Sequence, residues 1–325
     1  MGRYLITGAA GFIASRVAEM LLDAGDTVYG VDNLNTAYDV RMKEYRLRRL
    51  EERPGFTFQR MDIGEREAVQ QLDEQVGAVD AVINLAARAG VRSSVEDPWE
   101  YVNTNMVGTL NMLEFARRNR APKFILASTS SLYGNRNPMP FREDADTNLP
   151  LQPYAASKKG AEAMSYTYHY LHGIDVTIFR YFTVYGPAGR PDMVMFRFAQ
   201  WIAEGRPVRI NGDGEQSRGF TYLDDIARGT ILGLKPLGYE IINLGGHEVV
   251  KINDLICMLE ERLGRKAMVE YFPMHKADAL GNWANVEKAG ALLGWEPQVS
   301  LSEGVDRLVE WYLQERSWAS LVQTP

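Results

Sequence analysis

Short apolar runs separated by longer stretches of helical period set the rhythm of the first half of the chain. Residues 4–6, 28–31, 56–59, 81–84, 124–127 and 176–179 form runs too short for helices and rich in Val, Ile and Phe, which predicts strands buried on both faces. Between them, stretches such as 13–22 and 154–171 repeat apolar residues three and four apart and predict helices. Strand and helix in alternation give right-handed crossovers and a parallel sheet covered on both sides. The reading is an α/β chain: a doubly wound parallel sheet, the Rossmann arrangement, over residues 1–180.

Beyond residue 181 the rhythm loosens. Turn-rich Gly186-Pro-Ala-Gly-Arg-Pro191 and Asn211-Gly-Asp-Gly214 separate shorter elements, which predicts a smaller C-terminal α/β lobe over 181–325, with segments at about 217–250 returning to the first domain. Residues 301–316 read as an amphipathic helix with Ser300 as its N-cap. There is no internal repeat and no low-complexity linker.

Composition narrows the function classes. At 325 residues, 46% hydrophobic and 24% charged, the chain can bury a core for two lobes. No apolar run approaches the ~20 residues of a membrane span, and Met1-Gly-Arg-Tyr-Leu-Ile-Thr7 leads straight into a strand, so a cytoplasmic protein is expected. Cys257 is the sole cysteine; this excludes an intrachain disulfide, and no Cys/His cluster offers metal-ligand spacing. A net charge of -6 with scattered basic residues argues against nucleic acid. Residues 41–53 are locally basic, but Met42, Tyr45, Leu47 and Leu50 give the stretch the spacing of a solvated amphipathic helix.

The candidate chemistry starts at Thr7-Gly8-Ala9-Ala10-Gly11-Phe12-Ile13-Ala14, which joins the first strand to the first helix. Glycines there let backbone N–H groups approach a pyrophosphate at the positive helix end. Asp32 closes the second strand at the spacing expected of a ribose-binding acid, and Asn33 follows with no adjacent Arg; the cofactor expected is NAD rather than NADP. Tyr154 and Lys158 stand four apart on a predicted helix, so the ammonium can favour the phenolate, which suits redox chemistry. Thr183 and Arg190 add a hydroxyl and a fixed cation that suit a carboxylate.

The glycine motif, Tyr-x-x-x-Lys and Arg218-Gly-Phe-Thr-Tyr-Leu-Asp-Asp225 occur in an order that resembles the extended short-chain dehydrogenase/reductases acting on nucleotide sugars, over essentially the whole chain. That resemblance implies cofactor contacts from Gly8, Gly11, Phe12, Ile13, Asp32 and Asn33, an adenine site at Asp62 and Ile63, a cofactor floor at Leu85, Ala86 and Ala87, and further contacts from Asn105 and Tyr181. Tyr154 and Lys158 would be the catalytic pair, with Thr129 holding the substrate oxygen.

Three kinds of relative share an opening oxidation. Dehydratases and decarboxylases carry a carboxylate just after the Thr, where this chain has Thr129-Ser130-Ser131-Leu132, so oxidation and return of hydride, an epimerisation, is favoured. The runs Tyr181-Phe-Thr-Val-Tyr-Gly-Pro187, Gly189-Arg-Pro-Asp-Met193 and Ala89-Gly-Val-Arg92 are similar to those of UDP-glucuronate 4-epimerases, whereas UDP-galactose 4-epimerases usually have Asn in place of Thr183. On that similarity Thr129, Ser130, Ser131, Thr183 and Arg190 would surround a uronate carboxylate. Arg218 would grip the diphosphate of the UDP-sugar, Val208 and Ile210 would line the uracil, and Asp278 would meet ribose or phosphate; the role of Arg92 stays open. The alternatives are a UDP-glucose/UDP-galactose 4-epimerase, a UDP-glucuronate decarboxylase and a non-catalytic NAD-binding regulatory protein. The family also implies a homodimer through helices at 99–118 and 155–171, with Met112, Phe115, Met164 and Tyr168 on the apolar face, although burial within the monomer explains those residues equally well.

Overall fold

A computed structural model describes residues 1–246, 248–273 and 281–325. Its strands are β1 (Arg3–Thr7), β2 (Thr27–Asp32), β3 (Phe56–Arg60), β4 (Ala81–Asn84), β5 (Lys123–Thr129), β6 (Asp175–Tyr181), β7 (Thr183–Tyr185), β8 (Pro207–Asn211), β9 (Ser217–Tyr222), β10 (Tyr239–Leu244), β11 (Val249–Lys251), β12 (Met268–Phe272) and β13 (Gly281–Asn282). Seven of them form one sheet in the order β10-β6-β5-β4-β1-β2-β3, with every neighbouring pair parallel.

Period-two alternation splits these strands between two cores. Ile6, Val28, Ile83, Ile125 and Phe179 face one side of the sheet, while their chain neighbours Leu5, Val82, Phe124, Leu126 and Ile178 face the other. Both sides are covered, which is why these strands read as continuous apolar runs. The chain order reverses between β1 and β4, and the crevice at their carboxyl ends is the usual ligand position of such sheets.

In the second half, β9 pairs with β7 and β13 in parallel and with β11 antiparallel, and β8 pairs with β12. Their apolar faces meet Phe198, Ile202, Leu255, Leu259, Val305 and Leu308 in a separate core. The last of these residues lie on the helix Leu301–Gln314, which Ser300 caps by accepting the Glu303 N–H at 3.2 Å. β10 lies outside this lobe, against β6.

Met112 and Phe115 lie on the helix Gly108–Arg118 fully enclosed in the monomer core, with partly buried Met164 and Tyr168 packed against it, so burial within the monomer accounts for Met112 and Phe115. The helix Arg41–Glu51 is amphipathic but not simply solvated: Lys43 and Arg46 are buried along with Met42, Leu47 and Leu50. Among the described residues no helix is long and apolar enough to cross a membrane.

Candidate active site

The β1 carboxyl end turns at Gly8, whose φ of +69° favours glycine. A Cβ there would sit 2.8 Å from Ala86 Cα and 2.9 Å from Ala86 N, so the turn lies flat on the segment after β4. Gly11 donates to the Gly8 carbonyl at 2.7 Å and precedes the helix Phe12–Asp23. That leaves the first N–H groups of the helix at the mouth of the crevice, where an anion is stabilised. Phe12 is buried and Ile13 half-buried at the helix start.

Asp32 ends β2 with its carboxylate accepting N–H groups from Ala10, at 3.2 Å, and Leu34, at 2.8 Å. Lys43 Nζ lies 3.6 Å from it. Asn33 donates to Asp62 at 2.7 Å, and Asp62 accepts the Gly64 N–H at 2.8 Å. Ile63 is buried behind them, its carbonyl held by Asn111 at 2.8 Å. Leu85, Ala86 and Ala87 follow β4, and Ala86 N–H donates to the Thr7 hydroxyl at 3.0 Å. A flat glycine turn at a helix start, with a buried acid at the end of the next strand, fits a dinucleotide.

Tyr154 and Lys158 sit on the helix Pro153–His172, which begins with Pro at N1 and ends on Gly173 in the left-handed conformation. The Lys158 ammonium donates to the Ala127 carbonyl on β5 at 2.8 Å, which docks the helix against the strand carrying Thr129. Burial lowers Lys158 to about 8, opposed by the charge of Glu162. Burial also raises the Tyr154 phenol, while a hydrogen bond with Thr129 and the charge of Arg190 pull it back. Lys158 therefore touches the strand backbone, and the groups that favour the phenolate are Thr129 and Arg190. The Tyr154 ring is met edge-on by buried Tyr101, with centroids 6.0 Å apart.

Thr129, Ser130 and Ser131 lie where β5 runs into a short helical turn. Thr129 accepts the Ser131 N–H at 3.1 Å, and Ser130 accepts from Asn282 on β13 at 3.0 Å. Arg190 approaches from the loop after β7: its Nε donates to Asp192 at 3.1 Å and its Nη2 to Asp192 and, at 3.3 Å, to the Ala89 carbonyl. Burial works against the Arg190 charge, and Asp192 outweighs it, holding the guanidinium above its ordinary value. Thr183 opens β7, half-buried.

The remaining candidates hold the following positions. Asn105, on a π-helical turn, spends its amide on both backbone groups of Arg88, each at 3.0 Å, and on Ser157 at 2.9 Å. The Tyr181 hydroxyl meets Thr230 at 2.8 Å and its ring lies in the core. Val208 and Ile210 are buried in the second lobe's core, because the alternation of β8 turns Arg209 outward; their side chains are not free to line a nucleobase. Arg92 reaches Asn211 at the end of β8, both terminal nitrogens donating to the amide oxygen at 3.1 and 2.7 Å once that amide is oriented to accept. Arg218 lies on β9, one guanidinium nitrogen donating to the Ser217 carbonyl at 2.8 Å. Asp278 lies outside the described residues.

Residues 4–245 match the NAD dependent epimerase/dehydratase family. The chain belongs to that family. It is 55% identical over 312 residues to a UDP-glucuronate 4-epimerase of Thermodesulfobacterium geofontis, spanning 96% of each chain. Among solved structures, the UDP-glucuronic acid 4-epimerase from Bacillus cereus in complex with UDP-glucuronic acid and NAD superposes with a TM-score of 0.89 at 37% identity, covering 96% of this chain and 99% of that one. The UDP-glucose 4-epimerase from Thermotoga maritima with UDP-glucose gives the same TM-score at 31% identity, covering 97% and 99%. The fold and NAD dependence of this epimerase follow from these likenesses.

Sequence reasoning missed one buried pair behind the site. Arg180 on β6 forks onto Glu162, Nε to Oε1 at 2.9 Å and Nη2 to Oε2 at 2.8 Å, and Ser128 donates to the same carboxylate at 2.6 Å. The signal was present: Glu162 continues the Tyr154–Lys158 face by one more turn, and an arginine inside a buried strand needs a carboxylate.

Proposed function

We infer that this epimerase is an NAD-dependent UDP-glucuronate 4-epimerase, interconverting UDP-glucuronate and UDP-galacturonate through a transient 4-keto sugar. The observation that carries the reading is the 55% identity, over 96% of both chains, to a UDP-glucuronate 4-epimerase. The grouping of Thr129, Tyr154 and Arg190 supports it, since it sets a hydroxyl, a phenol and a cation around one space.

NAD, when bound, accepts hydride from C4 and returns it to the opposite face. Tyr154 Oη takes the proton of the C4 hydroxyl and later gives it back, and Thr129 holds that oxygen in line. Lys158 fixes the helix on β5 through the Ala127 carbonyl, and the charge of Arg190 favours the phenolate. Thr183, Ser130 and Ser131 offer hydroxyls to the C6 carboxylate and Arg190 offers the counter-charge. In this reading residues 1–180 serve mainly the dinucleotide and 181–325 mainly the UDP-sugar. Arg218 takes the diphosphate.

We also propose a cytoplasmic homodimer. Its contact face is Trp99, Val102, Tyr166 and Tyr170, large apolar side chains left exposed on helices at residues 98–102 and 153–172.

The test is product chromatography after incubation with UDP-glucuronate and no added NAD. UDP-galacturonate should form without release of carbon dioxide and without stoichiometric NADH. NADH accumulating in step with product would identify a dehydrogenase instead.

A further inference from the structure

The helix Arg41–Glu51 sends a cation inward that no step above uses. Arg46 is 3% exposed. Its Nε and Nη2 donate to the Ala188 carbonyl at 3.0 and 2.7 Å, and Nη2 also reaches the Gly189 carbonyl at 3.3 Å. Its Nη1 donates to the Ala10 carbonyl at 3.2 Å and to the Tyr38 hydroxyl at 3.0 Å. The guanidinium carbon lies 5.6 Å from the Phe12 ring centre and 5.7 Å from that of Tyr38.

These acceptors belong to two loops far apart in sequence. Ala10 is in the glycine turn, and Ala188 and Gly189 immediately precede Arg190. Ala188 has a φ of +53°, unusual for a residue with a Cβ, and its carbonyl takes two of the Arg46 donors. Arg190 itself lies 5.9 Å from the centre of the same Tyr38 ring. A planar fork with five donors can hold carbonyls from two loops at once; a lysine ammonium keeps the charge without the fork.

We propose that Arg46 is a positioning residue for uronate selectivity: it locks the Ala188–Gly189 turn to the glycine turn and thereby aims Arg190 at the substrate carboxylate. Arg46 acts through Arg190 and does not itself touch the sugar. This rests on the UDP-glucuronate reading. It also makes carboxylate recognition depend on the geometry of the cofactor turn, since one side chain holds both.

The experiment uses purified holoenzyme with Arg46→Met and Arg46→Lys, each alone and combined with Arg190→Gln. Calorimetry gives the affinities for UDP-glucuronate and UDP-glucose, and kinetics give KM and kcat. With Arg190 present, both Arg46 variants should lower the preference for UDP-glucuronate about tenfold, mainly through affinity and KM. In the Arg190→Gln background the same substitutions should change the preference by less than about twofold. An unchanged preference in a folded, NAD-containing variant overturns the proposal, as does an equal loss in both backgrounds. If neither variant folds, Arg46 is a folding brace and the positioning role is withdrawn. A wild-type protein that does not prefer UDP-glucuronate would instead sink the functional reading.

Discussion

The Arg190 guanidinium is forked on the Asp192 carboxylate, two residues along the same loop. The cation offered to a uronate is thus already neutralised by a partner that fixes its plane. A substrate carboxylate must share Arg190 with Asp192 or displace it.

Replacing Asp192 by Asn keeps an oxygen for Arg190 Nε and removes the competing charge. KM for UDP-glucuronate should fall several-fold, about what part of one charged hydrogen bond is worth, while kinetics on UDP-glucose stay unchanged. A rise in KM for UDP-glucuronate would mean that Asp192 serves chiefly to orient Arg190.

Glu162 and Arg180 are each about 2% exposed and hold each other through two hydrogen bonds. Removing one partner strands the other in the interior. Glu162→Gln should therefore cost about 3–5 kcal/mol in urea unfolding, whereas the double change Glu162→Met with Arg180→Met should cost clearly less. Equal losses would show that the pair contributes through shape and not charge.

The buried Lys158 ammonium, lowered to about 8 from an ordinary 10.5, links stability to pH. Between those values the unfolded chain holds a proton on this lysine that the folded chain has released. The burial cost is then present in full below about pH 8 and is relieved as pH rises towards 10.5. Relative to Lys158→Met, wild-type protein should gain up to about 3 kcal/mol between pH 7 and pH 10, read by urea unfolding without added nucleotide. Parallel pH profiles would place the Lys158 titration elsewhere.

The fold was legible because its strands are buried on both faces, so each apolar run stands out from the helices around it; β1 to β6 fall on the six runs. The glycine turn was legible because a pyrophosphate cradle needs small residues within one short segment. What escaped the sequence were contacts made across long separations. Arg46 reads as a solvated cation because its acceptors, the carbonyls of Ala188 and Gly189, lie more than 140 positions away and carbonyls leave no mark on residue identity. Family resemblance points to the strand of Val208 and Ile210 as a uracil contact, but resemblance does not say which face of a short strand meets the lobe's core. Asp192 was visible in the sequence, but only the loop's bend brings it onto Arg190.

The sharpest test concerns the carboxylate. Oxidation at C4 of a uronic acid gives a β-keto acid, whose carboxyl group leaves as carbon dioxide when the bond from C5 to it aligns with the ketone π system. Epimerisation must outrun that loss. Hydrogen bonds from the hydroxyls near Thr129 and Thr183, with the charge of Arg190, would hold the carboxylate out of alignment while the keto sugar turns its other face to the cofactor. Charged hydrogen bonds contribute about 1.5–3 kcal/mol each, so Arg190→Ala should reduce kcat/KM for UDP-glucuronate by about ten- to a hundredfold. Residual turnover of UDP-glucose should change much less, because its neutral CH₂OH group makes no charged hydrogen bond to Arg190 that the substitution could remove. The variant should also release a decarboxylated 4-keto pentose nucleotide, detectable by mass spectrometry and absent from the wild-type reaction. Equal loss on both substrates would instead make Arg190 a brace for the loop or a diphosphate ligand, and the physical basis proposed for uronate selectivity would fall with it.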